Sequence, residues 1–228
     1  MSTHINLSSI PVVERTYALC LQAVSKPKHG FNTTLKYVPN NYKTFEMCLA
    51  AVNHDGMALW HVPEIYLGKR TPCVICLAAV TNDCSAISFV PRKYLTSEIC
   101  IVAVRQSGEV LGKIPAHMRT DELCLEAAKQ SGYSLFFVGN SVITEEHCLE
   151  AVINCGFGFK FVPDKFRTMQ ICLIAVQFNH ELLNAVPDRI RTTLEFWEKW
   201  YASGTLSSDM IPDNYKDDIV ELVKFAES

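Results

Sequence analysis

Cysteine recurs along this chain at a fixed interval. Cys76, Cys100, Cys124, Cys148 and Cys172 are 24 residues apart, and Cys20 and Cys48 precede them at intervals of 28. Each opens nearly the same phrase, as in Cys20-Leu21-Gln22-Ala23-Val24, Cys48-Leu49-Ala50-Ala51-Val52 and Cys172-Leu173-Ile174-Ala175-Val176. Self-similarity at a short fixed period marks a repeat architecture, in which each unit buries its apolar face only against its neighbours. The expected fold is therefore all-α: a short α-solenoid of tandem repeats, each about 24 residues and built as a helix plus a shorter helix.

Counting from the phased cysteine as zero, position −4 is Thr16, Thr44, Thr96, Thr120, Thr144 and Thr168, and position −2 is Glu46, Glu98, Glu122 and Glu146. Threonine is a good N-cap, and a carboxylate in the first turn meets the positive end of the helix dipole. Gly56, Gly108, Gly132 and Gly156 stand at +8 and read as a left-handed C-terminal stop. Between cap and stop lie 11 residues, about three turns. Positions −1, 0, +3 and +4 are apolar in nearly every unit, which is one helix face, and Leu or Ile at +1 widens the stripe as a sandwiched helix requires.

A second apolar phrase follows, exemplified by Leu59-Trp60-His61-Val62-Pro63 and Phe159-Lys160-Phe161-Val162-Pro163. Its spacing predicts one or two helical turns ended before proline. Three residues past the proline comes a column of Tyr42, Tyr66, Tyr94, Met118, Phe166 and Ile190. The 28-residue intervals are four-residue insertions within 25–34 and 64–72. The division read from this pattern is a flexible N-terminus over 1–10, seven repeats over 11–187 and a C-terminal capping repeat over 188–228. In that last segment Phe196, Trp197, Trp200 and Tyr201 break the phasing, and Glu221 and Lys224 take the Cys and Ala positions. A terminal repeat with a polar outer face is what keeps an array soluble.

Composition narrows the function classes. A net charge of −3 gives no basic field to draw nucleic acid or anionic membrane. No apolar run approaches the ~20 residues of a membrane span, and the first ten residues lack the basic start and apolar core of a secretory signal. Ten cysteines do not imply disulfides here. Equivalent points on stacked helices lie about 8–10 Å apart, beyond the roughly 7 Å a disulfide allows between Cα atoms. Free, buried thiols suit a reducing, cytoplasmic compartment.

Four groups of residues are candidates for chemistry. Cys73 and Cys76 form a CxxC with Cys84 and His61 nearby in sequence, the raw material of a zinc site or a redox dithiol. Against this, the ladder already accounts for Cys76, there is no second CxxC or HxxxH, and no βαβ context surrounds the pair. A cysteine nucleophile needs a histidine in reach. His4, His29, His54, His61, His117, His147 and His180 show no recurring Cys–His spacing, and Cys155, beside Gly156, is the most exposed thiol expected. A basic column, Arg15, Lys43, Arg70, Arg119, Arg167 and Arg191, shares its period with Glu at −2 and reads as a salt-bridged, solvated face rather than a cationic stripe. The aromatics Tyr37, Trp60, Phe89, Phe136, Phe137 and Phe161 weigh differently. Much of that column is core filler, yet two adjacent aromatics do not easily both point inward, and exposed aromatics make binding hot spots.

The phrases Ala127-Ala128-Lys129-Gln130-Ser131-Gly132-Tyr133-Ser134-Leu135 and Ala103-Val104-Arg105-Gln106-Ser107-Gly108 resemble a bacterial helical repeat, the family catalogued as domain of unknown function 4116. The resemblance spans residues 15–190 and its motif is Ala-Val, then Gly, then Leu, with the phased cysteine outside it. It implies helical modules with no catalytic residues, some of them parts of secreted bacterial effectors. The Ser/Thr/Asn-rich first ten residues fit a leader for injection into a host cell and fit a frayed end equally.

The expected function is accordingly a non-catalytic scaffold for a protein or peptide partner, with no nucleic acid, membrane, metal or cofactor. Its partner face is expected at positions +12 and +13, in Trp60, His61, Phe89, Lys113, Phe136, Phe137, Lys160 and Phe161. The alternative is a cysteine-dependent enzyme or zinc/redox protein using Cys73, Cys76, Cys84 or Cys155.

Overall fold

The computed structural model describes residues 5–25, 34–68, 73–139 and 142–226, with side chains to 219. His4, His29, Arg70, residues 26–33 and 69–72 of the two insertion ranges, and the side chains of Glu221 and Lys224 lie outside that set. Among the described residues every element is helical. None of these helices is long and apolar enough to cross a membrane. The helices are α1 (Tyr17–Ser25), α2 (Phe45–His54), α3 (Glu64–Leu67), α4 (Val74–Asn82), α5 (Ser97–Gln106), α6 (Asp121–Gln130), α7 (Glu145–Asn154), α8 (Met169–Phe178), α9 (Asp188–Arg191), α10 (Leu194–Ala202) and α11 (Asp213–Ala226), with short 3-10 helices between them.

The threonine caps work as the sequence implies. Thr44, Thr96 and Thr120 accept the N–H three residues on through Oγ1 at 3.2–3.3 Å. At Thr144 the bond is reciprocal: the Thr144 N–H donates to Nδ1 of buried His147 at 3.0 Å, closing a capping box with histidine in the place of Glu or Gln. His147 Nε2 then faces the Asp121 carbonyl at 3.1 Å, so both ring nitrogens are satisfied. Thr168 departs from the pattern, making no cap bond through its buried Oγ1.

The chain clusters into two compact units, 1–118 and 119–228. In the first, α1 packs on α2, α2 on α4 and α4 on α5; in the second, α6 packs on α7, α7 on α8, and α8 on α10. The faces in contact are those the period marked. Cys20, Cys48, Cys76, Cys100, Cys124, Cys148 and Cys172 are all buried, as are the seven alanines at +3 from Ala23 to Ala175 and the residues at +4. Burial raises the thiol pKa throughout this ladder, to about 11 at Cys48, Cys100, Cys148 and Cys172, which makes them inert as nucleophiles. In the second unit α10 buries Phe196, Trp197 and Trp200, and Trp197 Nε1 donates to the Arg191 carbonyl at 2.8 Å.

Two expectations need correction. The glycine at +8 is not a left-handed stop: among the described residues only Gly204 has a positive φ. The helix ends instead at +7, where Asp55, Asp83, Ser107, Ser131, Cys155 and Asn179 adopt extended φ near −150° and donate their N–H to the alanine at +3. Glycine is required because the next helix comes close. A Cβ on Gly132 lies 2.6 Å from the Ala151 carbonyl oxygen, and one on Gly56 collides with the carbonyl of Ala79. The second correction is that, among the described residues, six of the seven repeats carry two short helices after the α-helix, the repeat of Cys124 being the exception. A six-residue 3-10 helix such as Gly56–His61 or Gly132–Phe137 comes first, and a further turn such as Arg92–Tyr94 or Asp164–Phe166 follows the proline.

The basic column also has a role that pairing with glutamate did not foresee. Arg15, Lys43, Arg119 and Arg167 donate to the carbonyls of Tyr37, His61, Phe137 and Ala185 at 2.6–3.2 Å. Each thereby ties the start of its repeat to the end of its own 3-10 helix. Arg15 and Arg167 also donate through Nε to Ile10 and Val162, the carbonyls at the end of the preceding phrase.

Candidate partner-binding surface

Two of the six-residue 3-10 helices, Gly56–His61 and His180–Ala185, are held at both ends, and others at one. At the start, the residue at +7 that closes the α-helix also caps the next one: Asp55, Asp83 and Asn179 accept the N–H two residues on at 2.8–3.0 Å. At the finish, the cations just described bind the last carbonyl. With three residues per turn, positions +11 and +14 fall on one face and +12 on another. Leu59 and Val62, Ile87 and Val90, Leu111 and Ile114, Leu135 and Val138, Phe159 and Val162 are accordingly buried. Trp60, Ser88, Phe136, Lys160 and Asn184, all at +12, are exposed.

In residues 1–118 this geometry builds an open groove of about 570 Å3, lined by Asn40, Lys43, Trp60, His61, Val62, Pro63, Ile65 and Tyr66. Trp60 is 67% exposed and stands edge-on to Phe89, ring centroids 5.1 Å apart. Ile65, 68% exposed, continues the apolar rim. Lys43 is buried, with Nζ on the His61 carbonyl, and burial lowers its pKa. The His61 pKa is lowered as well, first by burial and then by the charges of Lys43 and Lys36. The groove therefore presents a tryptophan and an isoleucine beside a neutral imidazole and a fixed cation.

Residues 119–228 carry the second cluster. Phe136, 69% exposed, meets Phe137 at 5.2 Å and Phe161 at 5.8 Å, both edge-on, and Tyr133 packs on Phe161 at 6.0 Å. Of the neighbouring pair, Phe136 points out and Phe137 is half-buried, as two adjacent aromatics must divide. Lys160 is exposed, its Nζ 5.5 Å from the Phe157 ring centre. No family model, curated protein or solved structure matches the chain.

Of the residues expected to bind a partner, Trp60, His61 and Phe89 thus come together in one unit and Phe136, Phe137 and Phe161 in the other. Lys113 is exposed but does not line the groove. Ile65, Tyr66 and Tyr133 were not singled out as binding residues, because the periodic pattern marks positions, and these enter through the fold. A second omission had a visible signal. Asn82, Gln106, Gln130 and Asn154 recur at +6 with the ladder's own period. Asn82, Gln106 and Asn154 donate to the carbonyls of Asn53, Val80 and Lys129 at 2.7–3.0 Å, satisfying the helix end of the preceding repeat.

The cysteine alternatives differ in burial. Cys84 and Cys155 are half-buried, whereas Cys73 and Cys76 are buried. Cys73 is the N-cap of α4. Among the described residues no three His, Cys, Asp or Glu side chains come together to hold a metal ion.

Proposed function

We propose that this chain is a non-catalytic tandem-repeat solenoid that binds a protein or peptide partner through the outward face of its 3-10 helices. One observation carries the reading: positions −1, 0, +3 and +4 are consumed by helix packing, while large aromatics stand exposed at +12, with Trp60 and Phe136 about two-thirds accessible. Half-buried aromatics from the following repeat, Phe89 and Phe161, hold them edge-on in defined orientations. Rigid aromatic anchors beside a cation are a hot-spot composition. Free, buried thiols favour a reducing compartment. The resemblance to a bacterial repeat family adds a host-cell protein as the partner class of an injected effector.

The test is affinity capture from bacterial and host lysates with the intact protein and three variants. A genuine partner is retained by wild type and by Cys155→Ser, and weakened by about 1–3 kcal/mol in Trp60→Ala or Phe136→Ala. A captured protein indifferent to both aromatic changes contradicts the reading. Loss of an activity in a folded, partner-bound Cys155→Ser variant replaces it with an enzyme.

A further inference from the structure

One repeat departs from the others at its start. Where six repeats have threonine at −4, this one has Pro72, and α4 opens one residue late with a cysteine, Cys73, as its N-cap. The Cys73 sulfur accepts the Cys76 N–H at 3.3 Å, and the two sulfurs lie 2.7 Å apart. A disulfide holds its sulfurs about 2.05 Å apart, so these two need to close by less than about 1 Å. No ladder cysteine other than Cys76 has a second cysteine at −3.

The two thiols are also electronically unequal. Cys73 is pulled below the ordinary thiol pKa, first by its hydrogen bond with the Cys76 thiol and then by backbone N–H groups of the first turn. Cys76 is pushed up by that same bond and by burial. The rest of the ladder is raised, chiefly by burial. A helix N-terminus favours the thiolate for the same reason it favours any anion. Only 3% of Cys73 is exposed, so the oxidant must be about as small as water.

We propose that Cys73 and Cys76 are an oxidation site for hydrogen peroxide, closing to an intrahelical disulfide. The Cys73 thiolate attacks one peroxide oxygen; the O–O bond breaks, leaving a sulfenic acid on Cys73 and hydroxide, which takes a proton to become water. Cys76 then loses its proton and attacks the Cys73 sulfur. The S–S bond forms, the S–O bond breaks, and the departing hydroxide leaves as a second water. Two thiols are oxidised by two electrons in all, and peroxide is reduced to two waters. A dithiol reductant reverses the bond by exchange. This site is independent of the partner surface, and its test reads no binding.

The full-length protein is treated with hydrogen peroxide at neutral pH, quenched with catalase, unfolded in iodoacetamide and digested with trypsin. The peptide over 71–92 holds Cys73, Cys76 and Cys84. The expected product has lost two hydrogens and carries one alkyl group, on Cys84; prior dithiothreitol restores all three. Cys73 reacts more than about tenfold faster than any ladder thiol, in line with its greater thiolate fraction. In Cys76→Ala, dimedone traps the sulfenic acid on Cys73, and in Cys73→Ala the peptide keeps both hydrogens. Three alkyl groups on the oxidised wild-type peptide overturn the proposal, as does a sulfinic acid on Cys73 with Cys76 alkylated. Loss of two hydrogens in Cys73→Ala overturns it too. The wild-type mass alone decides the question if a variant loses its helical circular dichroism.

Discussion

Position +3 of the repeat is alanine in Ala23, Ala51, Ala79, Ala103, Ala127, Ala151 and Ala175, and every one is buried. Nine residues further on, position +12 runs through Trp60, Ser88, Gly112, Phe136, Lys160 and Asn184, and Trp60, Ser88, Phe136, Lys160 and Asn184 are exposed. The two faces differ in what constrains them. The helix face is fixed by the space between neighbouring backbones, which admits only a small residue, so the sequence cannot drift there. The outer face of the 3-10 helix packs on little and is left to vary. Constancy here reports packing, and variation marks where packing leaves the side chain free.

Close approach on the inner face gives the largest expected effect. Gly132→Ala sets a methyl 2.6 Å from a backbone carbonyl that has no side-chain freedom to yield. Overpacking costs about 1–3 kcal/mol and more against rigid atoms, so a loss of about 3 kcal/mol is expected in urea denaturation. Gly139, with nothing near an added Cβ, is the control. If the two variants unfold at the same urea concentration, the glycine column is a matter of backbone conformation and the packing argument fails.

The clamps that tie each repeat together come next. Arg167 donates to Val162 and Ala185 and lies over the Phe159 ring. Arg167→Met keeps the stem and removes the donors, and is expected to cost about 1.5–3 kcal/mol, as for hydrogen bonds from charged groups. An unchanged melting temperature returns this residue to the solvated face assigned from sequence.

Cys124→Ser should cost about 1–3 kcal/mol more than Cys124→Ala, because the hydroxyl enters a dry contact without a partner. The ladder also fixes the sign of an alkaline effect. Thiols raised in the folded protein stay protonated while those of the unfolded chain ionise above about pH 8.5. Stability is therefore full below that pH and falls as pH climbs toward about 11, where Cys100, Cys148 and Cys172 titrate. Denaturant midpoints measured across that window test it, and a flat profile removes the ladder from the core.

The smallest change belongs to the outer face. Trp60→Ala and Phe136→Ala should shift stability by under about 1 kcal/mol, as surface substitutions do. A shift as large as that of Gly132→Ala makes these rings core residues and removes the basis for a binding face.

The periodic features were legible in the sequence because each obeys a local rule. The caps at Thr44, Thr96, Thr120 and Thr144, and the buried set from Met47 to Val52 and its equivalents, follow from helix geometry and spacing alone. The failures share a cause in tertiary contact. Gly56 and Gly132 read as stops because their real constraint, a carbonyl arriving from the next repeat, leaves no trace near them in the chain. The targets of Arg15 and Arg119 lie 22 and 18 residues away, so a short-range pairing rule assigned them to glutamate. The amides at +6 were the one signal in plain view that went unread.

Residue-resolved alkylation tests the division of faces most directly. Native protein is exposed to iodoacetamide at neutral pH, and each cysteine is scored by peptide mass against a denatured sample that takes up all ten equivalents. The packed helix face predicts that Cys20, Cys48, Cys100, Cys124, Cys148 and Cys172 stay unlabelled while Cys84 and Cys155 react. Rapid native labelling of Cys100, Cys124 and Cys148 contradicts it, because the helices then cannot be stacked on the face that the cysteine period defines.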